Sequence, residues 1–247
     1  MAKLFKSLIR RTVFRKQHNL VALDEYYDVM GRLLKQHSVT GILDAGASHG
    51  RITKRLLRLF PDAQAYLFEP QAMYRERLNV YAEQDARVHP YFMALSDQEG
   101  SIDLHVTESP GCTSLFAPAD NLQKMYPKAA GVKQIETVEM TTIDQWCANN
   151  GDPDIQMMKF DIQGAELSAM RGAMKTLQSS TLLVFTEIMF NPLYEGGAIY
   201  SEIDLCLREA GFRLYNIYKV NEDINGGLVQ ANAIFISEKI WQSPQAK

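Results

Sequence analysis

Two short stretches of this 247-residue chain hold residue types at spacings that suit ligand chemistry. The first is Asp44-Ala45-Gly46-Ala47-Ser48-His49-Gly50. Its two glycines allow backbone conformations closed to other residues and let a ligand approach the main chain. The spacing is not G-x-G-x-x-G and no G-K-[ST] follows, which excludes P-loop chemistry. Such a turn also meets plain steric needs between a strand and a helix. The second stretch is Phe68-Glu69-Pro70, with Glu69 25 residues after Asp44 (69 minus 44). A carboxylate there, ending the next strand of a βαβ unit, can accept both hydroxyls of a ribose. The pair predicts a nucleoside ligand. The loop carries no lysine for a pyrophosphate, although a helix N-terminus can bind phosphate without one. Acidic Asp44 suits a sulfonium better. That favours S-adenosylmethionine over a nicotinamide dinucleotide and leaves both open.

The elements that must position these residues alternate. A helix pattern runs from Asp24 to His37. Gly41–Ala45 and Ala65–Phe68 read as buried strands, separated by a helix with Ile52, Leu56, Leu59 and Phe60 that stops at Pro61. A third strand is expected over Val88–Ala94. Ser101–Thr107 and Glu136–Thr141 read as extended, with a Ser-, Pro- and Gly-rich loop between them. Ile155–Phe160 and Leu182–Thr186 are further strands, flanking one helix marked by Leu167, Met170, Met174 and Leu177. After a helix over Ser201–Ala210, strands Phe212–Tyr218 and Ala231–Ser237 form a hairpin around Asn225-Gly226-Gly227. Alternation of this kind implies a parallel sheet with right-handed crossovers, ligands at the carboxyl ends of its strands, and an antiparallel strand added by the hairpin.

Those strand ends supply further acids. Asp161 ends one strand and Glu187 follows the next, so neighbouring strands would point both into the mouth of a site. Lys159 and Asp161, two apart, share one side of their strand. They would form an ion pair, or Asp161 would orient or deprotonate an acceptor, or the acids would hold a divalent cation; no metal is the preferred reading. Glu166, in the first turn of a helix, suits the helix dipole. His49 is a base or a packing residue of its loop. Phe190, Tyr194 and Tyr200 would wall an acceptor pocket or fill the core.

Composition sets outer limits. The chain is 46% apolar and 22% charged, an ordinary globular balance. With 26 basic and 29 acidic residues the net charge is -3, so a chain-wide nucleic-acid footprint is absent. No apolar run reaches the roughly 20 residues that cross a bilayer. Cys112, Cys147 and Cys206 are isolated, which argues against a disulfide scaffold or zinc knuckle and fits a reducing, cytoplasmic setting. Residues 1–23 hold six basic residues and no acid, interleaved with Leu4, Phe5, Leu8, Ile9, Val13 and Phe14. That pattern is either a helix docked on its own domain or, through residues 1–20, a peripheral contact with the inner face of a membrane. Residues 1–38 are therefore set apart as a basic amphipathic segment and helix, and 39–240 as the main domain.

The motifs as a set resemble the FkbM-type methyltransferases, within the class I S-adenosylmethionine-dependent enzymes. The likeness rests on Leu43–Gly50, Phe68-Glu69-Pro70, Ala94–Gly100, Gly111–Leu115 and Thr142-Ile143-Asp144. Its most specific piece is Lys159-Phe160-Asp161-Ile162-Gln163-Gly164-Ala165-Glu166, followed by Arg171-Gly172-Ala173. Gln163 stands where many members carry Glu, and His49 where a smaller residue is usual. The resemblance implies an α/β, Rossmann-like class I methyltransferase fold: a mostly parallel seven-stranded sheet, a C-terminal antiparallel strand, and helices on both faces. It implies that Asp44, Gly46, Ala47, Ser48 and Gly50 hold the methionine part of S-adenosylmethionine, that Glu69 and Pro70 take the ribose, and that the segment Leu95, Ser96 and Asp97 lies by the adenine. Asp97 is otherwise a turn residue. Asp161 and Glu187 are then left for the acceptor, a hydroxyl of a sugar, glycan or natural product. A nicotinamide-dependent oxidoreductase and a non-catalytic nucleoside-binding protein are the alternatives.

Overall fold

The structure, a computed structural model, describes residues 26–241. The basic segment expected over residues 1–20 lies outside them. Helix α1 (Tyr26–Leu33) leads into strand β1 (Gly41–Ala45), helix α2 (Arg51–Leu59), strand β2 (Gln64–Phe68), helix α3 (Arg75–Gln84) and strand β3 (Val88–Tyr91). Then come β4 (Ala94–Leu95), β5 (Gly100–Thr107), α4 (Asp120–Met125), β6 (Val132–Thr141), α5 (Ile143–Asn149) and β7 (Met157–Phe160). The chain closes with α6 (Glu166–Arg171), α7 (Met174–Ser179), β8 (Leu183–Met189), α8 (Tyr200–Glu209), β9 (Phe212–Glu222), β10 (Leu228–Ser237) and α9 (Glu238–Trp241).

Seven strands form one sheet in the order β3-β2-β1-β7-β8-β10-β9. The first five are parallel; β10 runs antiparallel to both β8 and β9. This is the Rossmann-like class I arrangement expected above. All five residues of β1 and all four of β7 are buried, which suits central strands covered on both faces. One face packs Phe68, Trp146, Met170 and Leu207 against α5, α6, α7 and α8. The other packs Met30, Leu56, Phe185 and Ile234 against α1, α2 and α3. The chain moves outward from β1 to β3 and returns at β7 on the other side of β1. That reversal is the switch point where ligands bind in open α/β sheets.

Helix α1 belongs to the same core. Tyr26 stacks on Phe185 with ring centroids 4.9 Å apart, and Met30 is fully buried. Two expectations are corrected. The run Val88–Ala94 is not one strand: Val88–Tyr91 pairs with β2, whereas Ala94–Leu95 pairs with β6 in a separate three-stranded sheet, β4-β6-β5. The stripe from Leu167 to Leu177 is not one helix but α6 and α7, interrupted at Gly172-Ala173. The carbonyl oxygen of Ser96 lies where a Gly172 Cβ would stand, so backbone rather than a side chain fills that spot. The Thr142-Ile143-Asp144 motif caps and pins. Thr142 accepts from Gln145 N at 3.0 Å, and Asp144 accepts from Thr176 N at 2.8 Å, tying α5 to α7.

Candidate active site

A cavity of about 490 Å³ opens at the carboxyl ends of β1, β2, β7 and β8. That is within the usual range for small-molecule and cofactor sites. Its floor comes from Gly46, Ser48, Glu69 and Pro70 on one side and Asp161, Gln163 and Glu187 on the other. Met93, Ala94 and Leu95 form one wall, and the segment Ser109–Leu115 passes across it. A short 3₁₀ turn, Pro110–Cys112, shapes that crossing. The segment is held at both ends: Gln71 Nε2 donates to the Pro110 carbonyl at 3.4 Å, and Ser114 Oγ donates to the Gln163 carbonyl at 2.6 Å.

Glu69 is the buried carboxylate of the β2 end. It is 2% exposed yet reaches the cavity. Ser48 N donates to Oε2 at 2.8 Å and Gln71 N to Oε1 at 3.0 Å. These bonds fix its orientation and leave lone pairs free for a ligand. Burial raises its pKa, while the Gln71 and Ser48 N–H groups and the Lys159 charge offset part of that rise.

Asp44 stands elsewhere. It is fully buried behind the loop, where its Oδ1 lies 2.9 Å from Lys159 Nζ and its Oδ2 accepts from Thr53 Oγ1 at 2.5 Å. Asp44 and Lys159 are direct register partners of β1 and β7, so the sheet itself brings them together. The Lys159 ammonium also donates to the carbonyls of Ala45 at 3.0 Å and Gly46 at 2.8 Å. Its distance to Asp161 Oδ2 is 3.9 Å. The ion pair expected between Lys159 and Asp161 is thus chiefly Lys159–Asp44. Burial works against the ammonium, but the Asp44 and Asp161 charges outweigh it and raise the pKa. A carboxylate with this counter-charge does not offer itself to a sulfonium.

Gly46 keeps its place for a reason the loop alone does not reveal. At φ +74° its absent Cβ would meet the backbone carbonyl of Asp161 on the adjoining chain segment. The close approach of β1 and β7 demands glycine, beside any ligand. Gly50 (φ +69°) leaves room for the Tyr81 ring, which a Cβ would meet at 2.9 Å.

Of the residues expected at the cofactor, Gly46, Ser48, Glu69 and Pro70 line the cavity; Asp44, Ala47, Gly50, Ser96 and Asp97 do not. Ser96 is buried under Gly172, and Asp97 is exposed away from the cavity. Of the segment expected by the adenine, Leu95 lines the cavity, beside Met93 and Ala94. His49 packs edge-on to Tyr74 with centroids 4.8 Å apart and stays off the wall, as do Phe190, Tyr194 and Tyr200.

The two expected acids of the acceptor side are brought together. Parallel pairing of β7 with β8 sets Asp161 and Glu187 into the cavity. Glu187 lies inside β8, which continues to Met189, rather than after it. Gln163 Nε2 bridges the two, 2.9 Å from Asp161 Oδ1 and 3.0 Å from Glu187 Oε2. Gln230 Nε2 donates to Glu187 Oε1 at 3.2 Å. Burial, then the charges of Asp161 and Glu166, push the Glu187 pKa well above the ordinary carboxylate value. Gln71 and Gln230 carry no signal in the sequence, since they come from a loop and a strand far apart in the chain. Among the described residues no group of three or more His, Cys, Asp or Glu is arranged to hold a metal.

The sequence profile of the methyltransferase FkbM domain matches residues 44–214, well over half of the chain. The chain belongs to the FkbM methyltransferase family. A 2-O-methyltransferase, NoeI, of Sinorhizobium fredii (strain NBRC 101917 / NGR234) is 31% identical over 163 residues, which are 63% of this chain and 65% of that protein. The FkbM methyltransferase crystal structure from Methylobacillus flagellatus KT aligns with a TM-score of 0.47 at 13% identity, over 79% of this chain and 44% of that one. A Burkholderia thailandensis 1,6-didemethyltoxoflavin-N1-methyltransferase with bound S-adenosylhomocysteine gives 0.46 at 12% identity, over 96% and 86%. Membership of the FkbM methyltransferase family rests on the sequence match.

Proposed function

We propose that this FkbM-family chain is an S-adenosylmethionine-dependent O-methyltransferase whose acceptor is an uncharged hydroxyl of a sugar, glycan or natural product. The observation that supports it most is the charge of the cavity wall. Glu69, Asp161 and Glu187 line it, and among the described residues no Lys, Arg or His does. A cavity of that character suits a cationic sulfonium and a neutral acceptor. It disfavours the pyrophosphate of a nicotinamide dinucleotide, for which the wall offers no cation. The 2-O-methyltransferase name of the Sinorhizobium relative supports the same reaction class.

The residues present fit the cofactor. Glu69, buried and oriented by two backbone N–H groups, suits ribose hydroxyls; Gly46 and Ser48 line the side where the methionine part would lie; Met93, Ala94 and Leu95 suit the adenine. S-adenosylmethionine would supply an electrophilic methyl group on a good leaving group. The chain then has to align an oxygen, exclude water and take one proton. Asp161, with Glu187 beside it, would orient the acceptor hydroxyl and accept its proton as the new C–O bond forms. General-base assistance of that kind is worth about 10²–10⁴ in rate. A peripheral membrane contact through residues 1–20 is part of the same reading, supported by the basic, apolar-interleaved sequence there.

Calorimetry with S-adenosylhomocysteine and NAD tests the cofactor. Glu69→Ala should weaken S-adenosylhomocysteine binding about 30–1000-fold, the loss of roughly 2–4 kcal/mol from two charge-assisted bonds. Asp161→Asn should bind within a few-fold of wild type and lose most turnover of labelled S-adenosylmethionine on a panel of neutral glycans and metabolites. Tight NAD binding, or an unaltered affinity in folded Glu69→Ala, would overturn the reading.

A further inference from the structure

Gln163 joins more of the cavity than any other side chain described above. Its amide nitrogen holds Asp161 and Glu187 together, and its Oε1 accepts from the Tyr194 hydroxyl at 2.8 Å. Its backbone carbonyl receives Ser114 Oγ, the anchor of the segment that crosses the cavity. Tyr194 is fully buried, and burial keeps its phenol protonated; its hydroxyl meets Gln163 Oε1 at 2.8 Å and the Cys112 carbonyl of the crossing segment at 3.3 Å. Both amide hydrogens then face the two carboxyl groups.

The backbone is held just as firmly. Gln163 has φ +55°, a left-handed conformation uncommon for a non-glycine residue. Glu166 fixes the turn around it, with Oε1 accepting from Ile162 N at 2.9 Å and Oε2 from Gly164 N at 2.9 Å. Backbone strain kept in place by its surroundings is a feature of functional sites.

We propose that Gln163 is a positioning residue for the methyl transfer: its amide sets the geometry and protonation of the Asp161–Glu187 pair and couples that pair to the Ser109–Leu115 segment. The proposal rests on the O-methyltransferase reading. A neutral double donor between two acids lowers the repulsion between them without adding a charge. A glutamate at the same position would place a third carboxyl in the cluster. One of the three would then have to keep a proton to supply the missing hydrogen bonds. The charged and titratable groups around Glu187 are Lys159 from β7, Asp161 just after it, Glu166 from α6, Cys112 from the crossing segment, and Tyr194. Among the described residues, Gln163 is the side chain that hydrogen-bonds both acids.

The test follows the Glu187 carboxyl carbon by NMR in full-length protein carrying ¹³C-labelled glutamate, its signal assigned by loss in Glu187→Gln. Gln163→Met removes both donors; Gln163→Glu adds the like charge. Each should move the Glu187 titration midpoint upward by about one pH unit or more. S-adenosylhomocysteine affinity, read by calorimetry on the same samples, should stay within about threefold. A midpoint that does not move in a variant that still binds S-adenosylhomocysteine overturns the proposal and leaves the cofactor reading standing. Should Gln163→Met fail to fold, the nearly isosteric Gln163→Glu decides alone. Wild-type protein that does not bind S-adenosylhomocysteine would sink the cofactor reading, while the NMR midpoints would still decide what Gln163 does.

Discussion

Lys159 is a fully buried ammonium whose nearest partners are polar groups of β1 and the glycine turn after it: the Asp44 carboxylate and the carbonyls of Ala45 and Gly46. It ties the glycine turn to the neighbouring strand from behind, leaving the cavity side of that turn open. Removing one member of a buried pair strands the other charge, at about 3–5 kcal/mol. Lys159→Met should therefore lower stability by that amount in chemical denaturation and weaken S-adenosylhomocysteine binding through the displaced turn. Adding Asp44→Leu should restore most of the lost stability, because an apolar pair of similar volume leaves no charge behind. Full stability in the single variant would refute a structural role for the pair.

At the scale of elements, the turn between β7 and α6 is where acidity and architecture meet. Burial pushes Glu166 up to about 7, against the pull of the Ile162 and Gly164 N–H groups. The sign follows from a raised folded-state value. Below about pH 4.5 the group is protonated in both states and its stabilisation is fully present. As pH rises to about 7 the unfolded chain ionises first, and stability falls by about 3 kcal/mol before levelling. Thermal denaturation across that window should show this decline in wild type and a flatter profile in Glu166→Gln; equal slopes would dismiss it. Glu166 read as a helix-dipole charge in the sequence, since nothing there shows its burial. Elements were legible where burial repeats: β1 and β2 are short apolar runs stopped by Gly and Pro. Helix α3 buries only Leu78 and leaves no stripe to read. The helix pattern from Leu167 to Leu177 concealed its break because Ser96, remote in sequence, supplies the obstacle at Gly172. For the same reason Glu69, Asp161 and Glu187 could be picked out from strand ends. The true role of Asp44 needed the β1–β7 register.

For the whole molecule, charge is the uneven quantity. Residues 1–60 hold 12 basic and 4 acidic residues, a balance of +8, and residues 61–247 hold 14 and 25, a balance of -11. Part of the positive charge lies on α2, where Arg51, Lys54, Arg55 and Arg58 are exposed at helical spacing and no acid intervenes. No described helix is long and apolar enough to cross a membrane. The charge polarity predicts that full-length protein sediments with phosphatidylserine-containing vesicles at low salt and is released by high salt. Deleting residues 1–20 should weaken this without altering S-adenosylhomocysteine affinity. No sedimentation at low salt would dismiss the membrane contact.

The Lys159–Asp44 pair also sets a timetable for synthesis. The two residues are 115 positions apart (159 minus 44), which a ribosome adding about 5–20 residues per second covers in about 6–23 s. Throughout that interval the nascent β1 carries a carboxylate that the finished sheet encloses, with no cation yet made to meet it. The N-terminal half can collect α1, α2 and β2 around β1, but its innermost strand stays electrostatically incomplete until β7 is translated. The glycine turn is therefore encoded early and assembled late.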